Sequence, residues 1–248
     1  MDKITALMMA EKLGLNLHEV RLGYHLDNNP NKLMPDGVKS ITIHQTGNTD
    51  VGADAERHHS YLRNGSGGSK VSWHYTVDEK EAIQSFRDNR VTWHSATKTG
   101  NETSIGIEMC IDADRVGENV MGSKNYKKTI ENTQKLVAIK LHEHGLKVTD
   151  IKQHFDWSKK NCPRQLREGL HGVTWGQFLE GVKAQYKALD AILNPKKVTQ
   201  TPAPDGKLFM VKFGAFKYRE NALQHIKEAE EKGFSAYMTI DDDPNYSK

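Results

Sequence analysis

Three short segments alternate apolar and polar residues with a period of two, the spacing of a strand whose two faces meet different surroundings. In Ser40–His44, Ile41 and Ile43 fall on one face and Thr42 and His44 on the other. In Ser72–Val77, Trp73, Tyr75 and Val77 alternate with His74 and Thr76. In Thr103–Cys110, Ile105, Ile107 and Met109 oppose Ser104, Gly106, Glu108 and Cys110. Helical stretches are expected over Ala53–Arg63, ahead of a Gly-Ser-Gly-Gly turn, and over Lys128–His144, ended by Gly145. Strands interleaved with helices predict an α/β domain in which helices flank a central mixed β-sheet. If the strands are neighbours in that sheet, His44 and Glu108 lie together on its polar face.

The pattern breaks between Ala191 and Gly206, where AILNPKKVTQTPAPDG brings three prolines, charge and small residues. This reads as a linker over 191–206. Before it, Thr174 is positioned as an N-cap, and Trp175, Phe178, Leu179, Val182, Tyr186 and Leu189 recur at helical spacing, so a long amphipathic helix closes a large domain spanning 1–190. After it, residues 207–248 read as a small β-α-β unit: a strand at Leu208–Phe213, a helix at Glu220–Lys232 ended by Gly233, and a strand at Phe234–Ile240.

Bulk properties exclude some classes. Lys and Arg number 35 against 32 Asp and Glu, a net charge of +3, too mild to argue for a nucleic-acid partner. Cys110 and Cys162 are the only cysteines, too few for a disulfide framework. Asp2, Lys3, Glu11 and Lys12 interrupt the N-terminal apolar residues, and no run approaches the ~18 apolar residues of a membrane span. The expectation is a protein made in the cytoplasm without a signal peptide.

The chemistry concentrates in QHFDWSKKNCP, a polar, turn-forming stretch that follows a strand-like Leu146–Ile151. An imidazole at His154 and a soft thiolate at Cys162 can reach one tetrahedral Zn²⁺ across that loop. A third nitrogen, from His44, leaves the fourth position open to water, as at a catalytic zinc.

ITIHQTG, WHYTV, SIGIE and the His154-to-Cys162-Pro163 spacing together resemble the zinc amidases of the N-acetylmuramoyl-L-alanine amidase type 2 family, which includes phage endolysins, autolysins and peptidoglycan recognition proteins. The match runs over about residues 35–190 in the family's order. The resemblance implies His44, His154 and Cys162 as zinc ligands, Glu108 as the acidic catalytic residue, Lys160 as the basic one, and bacterial peptidoglycan as the partner. The implied reaction is hydrolysis of the amide between N-acetylmuramic acid and L-alanine by an endolysin that reaches the cell wall after release. Glu108 would move protons and Lys160 would face the developing oxyanion. Each has a competing reading: Glu108 as an orienting partner of a ligand histidine, and Lys160, beside Lys159, as a solvated surface charge. A non-catalytic peptidoglycan receptor and a zinc peptidase cutting within the stem peptide remain the alternative functions.

Some family members carry a tyrosine where this chain has Trp73, so that tyrosine's role does not transfer. Trp73, His74 and His94 border the family's cleft and are candidates for substrate contact, His94 foremost. His58 and His59 sit together on one helix, where only one is expected to face the sheet. LHEHG over Leu141–Gly145 is discarded as a metal motif, because His142 and His144 are two apart and leave a helix on different faces. Cys110 is expected to be a buried thiol. VKFGAF, RENA and KGF in the C-terminal unit resemble the first half of a SPOR-type wall-binding repeat, which implies glycan binding and tethering to substrate. The missing second half leaves a strand edge unpaired, so either the repeat is shortened or two copies associate to complete the sheet.

Overall fold

The computed structural model describes residues 5–19, 22, 27–50, 52–111, 124–194 and 219–231. The chain divides into two compact units, Met1–Lys196 and Lys197–Lys248.

The first unit is built on a six-stranded mixed sheet. Its strands are β1 (Leu17–His18), β2 (Ser40–Gln45), β3 (Tyr75–Val77), β4 (Ala82–Gln84), β5 (Ser104–Met109) and β6 (Ile151–Gln153), in the order β1-β4-β3-β5-β2-β6. Only β3 and β4 pair antiparallel; the other neighbours are parallel. The three alternating segments are therefore adjacent in the centre, and the ladder sets His44 directly opposite Glu108.

Ile41, Ile43, Tyr75, Val77, Ile105, Ile107 and Met109 enter one continuous apolar core. Three helices close over it: α1 (Ala6–Leu13), α4 (Lys124–His144) and α7 (Trp175–Leu193). The capping signals work as read. Thr174 accepts from Gln177 N–H in a capping box that starts α7, and Gly145, at φ 62°, turns the chain out of α4.

Above the polar residues of the strands lies α2 (Ala55–Arg63), begun by Asp54, which accepts from Arg57 N–H. Its Leu62 packs with Leu22, Trp73 and Phe86 in a second small core. Both His58 and His59 of α2 are buried. His59 Nδ1 sits 2.9 Å from Ser85 Oγ, while His58 takes Asp54 O at 2.8 Å and lies 3.8 Å from the Cys110 thiol.

Leu146–Ile151 departs from the strand expectation. Val148–Asp150 is a single 3₁₀ turn, with Lys147 N–H donating to Asp150, and β6 begins only at Ile151. Three short helices complete this unit: α3 (Lys98–Thr103), α5 (His154–Ser158) and α6 (Arg164–Glu168). In the second unit the expected helix is α8 (Arg219–Glu231). The two expected strands beside it, and hence the SPOR-like sheet and its pairing with a second copy, lie outside the described residues.

Candidate metal centre

The polar side of the β2–β5 ladder is buried yet hydrogen-bonded. Thr42 Oγ1 donates to Ser104 Oγ at 2.7 Å, and Trp157 Nε1 donates to Thr42 Oγ1 at 2.9 Å. His44 follows Thr42 on this face, near the end of β2, and is 1% exposed.

The other two candidate ligands arrive from the chain after β6. His154 opens α5, whose N-terminus is closed by Asp156 accepting from Gln153 N–H. Lys159 then adopts the left-handed conformation, φ 64°, and stops the helix. The returning loop is tied to its start by Phe155 N–H donating to Cys162 O at 3.1 Å. That turn separates two adjacent lysines: Lys159 Nζ lies 5.0 Å from the centre of the Phe155 ring, whereas Lys160 lines the cleft.

The result is a buried trio. His44 Nδ1 lies 3.0 Å from His154 Nδ1 and 4.0 Å from Cys162 Sγ, and donor atoms of the three residues all fall within 4.8 Å of one another. Tetrahedral bonds of about 2.0–2.3 Å place N and S donors roughly 3.3–3.6 Å apart, so this set needs only small adjustments to surround one ion. Two imidazoles and a thiol form a borderline-soft set suited to zinc, and three protein ligands leave a fourth position for water or substrate.

Burial, reinforced by the neighbouring histidines and by Lys160, holds His44 far below the usual imidazole range. Burial and then Lys160 bring His154 down to about 4. Both rings are thus neutral near pH 7, the form that binds metal. Burial, with Glu108 next, pushes the Cys162 thiol up to about 12, so without a cation beside it the sulfur keeps its proton.

Glu108 stands 4.0 Å from His44 Nδ1, with its side chain 14% exposed and Oε2 lacking a hydrogen-bond partner among the described residues. Burial raises its carboxyl to about 8 and Lys160 pulls it the other way. A carboxyl poised near neutrality with a bare oxygen can both take and return a proton.

Glu108, Lys160, His154, His94 and Trp73 line one open cleft of about 420 Å³. The cleft continues past the aromatic pair Tyr61 and Trp73, stacked at 6.3 Å, toward Arg57. Neither Arg57 nor Tyr61 stood out in the sequence, although they lie four residues apart, one turn from each other, on the exposed side of α2.

His74 is placed elsewhere. It is wholly buried and absent from the cleft lining; Gly106 N–H donates to its Nδ1 at 2.9 Å, and its Nε2 donates to Arg90 O at 2.9 Å. His94 reaches the cleft but is 8% exposed, and its Nδ1 meets His44 Nε2 at 2.9 Å. Cys110 is buried, its thiol raised well above the usual range by burial. His144 of LHEHG lies with Asp88 and Glu143 in a second group of closely spaced donors, but the Lys140 ammonium is already among them, 3.1 Å from Asp88 and 2.7 Å from Glu143.

An N₂S donor trio beside a buried carboxyl, with His154 and Glu108 opening onto the cleft, suits a metal-assisted hydrolase. The chain belongs to the N-acetylmuramoyl-L-alanine amidase family, whose model matches residues 34–165, more than half of its length. It is 38% identical over 144 residues to the N-acetylmuramoyl-L-alanine amidase XlyA of Bacillus subtilis, covering 57% of this chain and 43% of that one. Among solved structures, the catalytic domain of XlyA superposes with a TM-score of 0.58 at 33% identity, over 68% of this chain and 99% of that one. A mutant endolysin from Bacillus subtilis gives 0.58 at 34% identity, over 68% and 99%. The chain spans about half the length of the curated relatives it matches. Among the described residues no helix is long and apolar enough to cross a membrane.

Proposed function

We propose that this chain is a zinc-dependent N-acetylmuramoyl-L-alanine amidase that cuts peptidoglycan between the muramoyl lactyl group and L-alanine, acting as an endolysin on the cell wall. The observation that carries this reading is the convergence of His154 and Cys162 on His44, which shares a ladder rung with Glu108, in a chain of this family. Zinc held there would supply Lewis acidity for the amide carbonyl and acidify a water.

The chain's own groups do the rest. Glu108 Oε2, free of other partners, accepts the proton of the attacking water and returns it to the departing nitrogen. Lys160, on the cleft wall, sets its ammonium near the oxygen that gains negative charge as the carbonyl becomes tetrahedral. The aromatic side of the cleft, with Tyr61, Trp73 and Trp93, suits the apolar faces of sugar and peptide, and Arg57 suits a carboxylate of the stem.

The test is digestion of purified cell wall. The amidase reading expects new amino termini that are L-alanine, with no new reducing ends. Termini of another residue would transfer the reading to a peptidase, and no release at all would leave a receptor. Glu108→Ala should keep its zinc and lose ~10²–10⁴-fold in rate; loss of the metal instead would make Glu108 an orienting residue.

A further inference from the structure

From the hydrogen bonds around His94 we infer that His94, pinned by Asn101, is a positioning residue that fixes the tautomer of His44 and aims its Nδ1 lone pair at the metal position. This rests on the metal reading proposed above and goes beyond it, because His94 is thereby assigned to the metal centre instead of to substrate.

The chain of bonds has only one consistent direction. His94 Nε2 lies 3.2 Å from the backbone carbonyl of Ser104, and a carbonyl oxygen can only accept. The Ser104 hydroxyl, 3.4 Å away, is committed as a donor to Gly100 O at 2.7 Å, so it too accepts from this nitrogen. His94 Nε2 therefore carries the ring proton, and Nδ1 of this buried neutral imidazole is bare. That bare nitrogen sits 2.9 Å from His44 Nε2, which must then be the donor. His44 is left with its proton on Nε2 and a lone pair on Nδ1, the atom that faces His154 Nδ1 and the Cys162 sulfur. Without His94 the alternative tautomer would place a proton where the ion must bind.

Three features hold His94 in place. Asn101 Oδ1 accepts from His94 N–H at 3.0 Å, from Ser95 N–H at 2.9 Å and from Ser95 Oγ at 3.0 Å, so one side-chain oxygen fastens the whole dipeptide. Ala96, the next residue, is held in the left-handed region at φ 62°, a conformation that a free loop seldom adopts with a side chain. Gly106 supplies the space: a Cβ there would meet the His94 ring at 2.8–3.0 Å. A glycine in the middle of a central strand is thus explained by the imidazole lying against it.

The experiment uses the full chain stripped of metal, with zinc alone as the probe, titrated against a chromogenic chelator. His94→Phe, which removes the acceptor, should weaken zinc binding about 10- to 100-fold. Asn101→Ala should also weaken it. The conservative changes should restore much of the affinity: His94→Gln because its amide oxygen can accept from His44, Asn101→Asp because it keeps the accepting oxygen. In the metal-free parent, ¹⁵N shifts of the histidine rings should report His44 protonated at Nε2, a readout that needs no variant to fold. Zinc affinity of His94→Phe within twofold of the parent, or His44 protonated at Nδ1, would overturn the inference. His44→Ala separates the two levels: if it binds zinc as the parent does, the metal reading itself has failed; if it loses zinc while His94→Phe does not, only the positioning role has.

Discussion

Among the described residues, two clusters bring three potential metal-ligand side chains within 4.8 Å: His44, His154 and Cys162 at one, Asp88, Glu143 and His144 at the other. The second is complete in itself. Lys140 places a buried ammonium between its carboxylates, and Tyr75 and Gln84 donate to Asp88 Oδ1 at 2.6 and 2.9 Å. Burial alone would raise the Asp88 carboxyl; Lys140, with His144 and Tyr75, more than reverses that and holds it well below the usual carboxylate range. The first cluster has nothing equivalent. Its donors are neutral rings and a thiol whose proton burial retains, and Lys160 is on the cleft wall. Ligand spacing is therefore a poor guide until charge is counted. By charge, the second cluster is already satisfied by Lys140, while the first, with Lys160 on the cleft wall, fits the metal site proposed above.

That contrast can be broken by experiment. The largest effect is expected at the first cluster: His44→Ala or Cys162→Ala should abolish zinc uptake and lower wall hydrolysis by at least ~10³-fold with the fold intact, read by metal analysis, amino-terminus release and circular dichroism. At the second cluster, Lys140→Met should leave zinc stoichiometry alone but destabilise the protein by about 3–5 kcal/mol in urea, because two carboxylates lose a buried partner. Zinc that rescued this variant would erase the distinction.

His74 stands between the clusters. It feels Asp88, Lys140 and His144 on one side, and its ring faces His94 at 6.0 Å on the other. Burial lowers it to about 4, against an ordinary value of 6.5. Between those values the unfolded chain binds more protons than the folded one. Stability carried by His74 is thus complete above about pH 6.5 and lost as pH falls toward 4, by about 3 kcal/mol. Urea titrations across this range should show a shallower acid slope in His74→Gln than in the parent; equal slopes would remove His74 as the cause. The smallest effect belongs to Lys159→Ala, within about twofold in rate, beside a loss of about 10²–10³-fold for Lys160→Ala. Similar losses for both would mean that the lysines act only as general positive charge.

The sheet was legible because alternation is a local signal: Ile41, Ile43, Ile105 and Ile107 declare their face without reference to the rest of the chain. The helix ends at Thr174 and Gly145 were readable for the same reason. The strand expected over Leu146–Ile151 was not formed in full, because Asp150 satisfies Lys147 N–H and makes a turn cheaper than extension. The reach of His154 and Cys162 toward one point followed from loop chemistry and family pattern. The partnership of His94 with His44, the burial of both His58 and His59, and the Lys140 cluster depend on contacts between distant segments, and nothing local marks them. Glu108 opposite His44 lay between these cases: sharing a face was readable, sharing a rung was not.

That shared rung has an evolutionary corollary. The separation between the histidine proposed to hold the metal and the carboxyl proposed to handle protons follows from the spacing between adjacent strands, roughly 4.8 Å in any sheet. It does not have to be tuned by insertions, deletions or changes in the surrounding turns. Cleft-bordering segments other than those that carry His94, Asn101, His154, Lys160 and Cys162 are consequently free to diversify, provided that β2 and β5 keep their alignment.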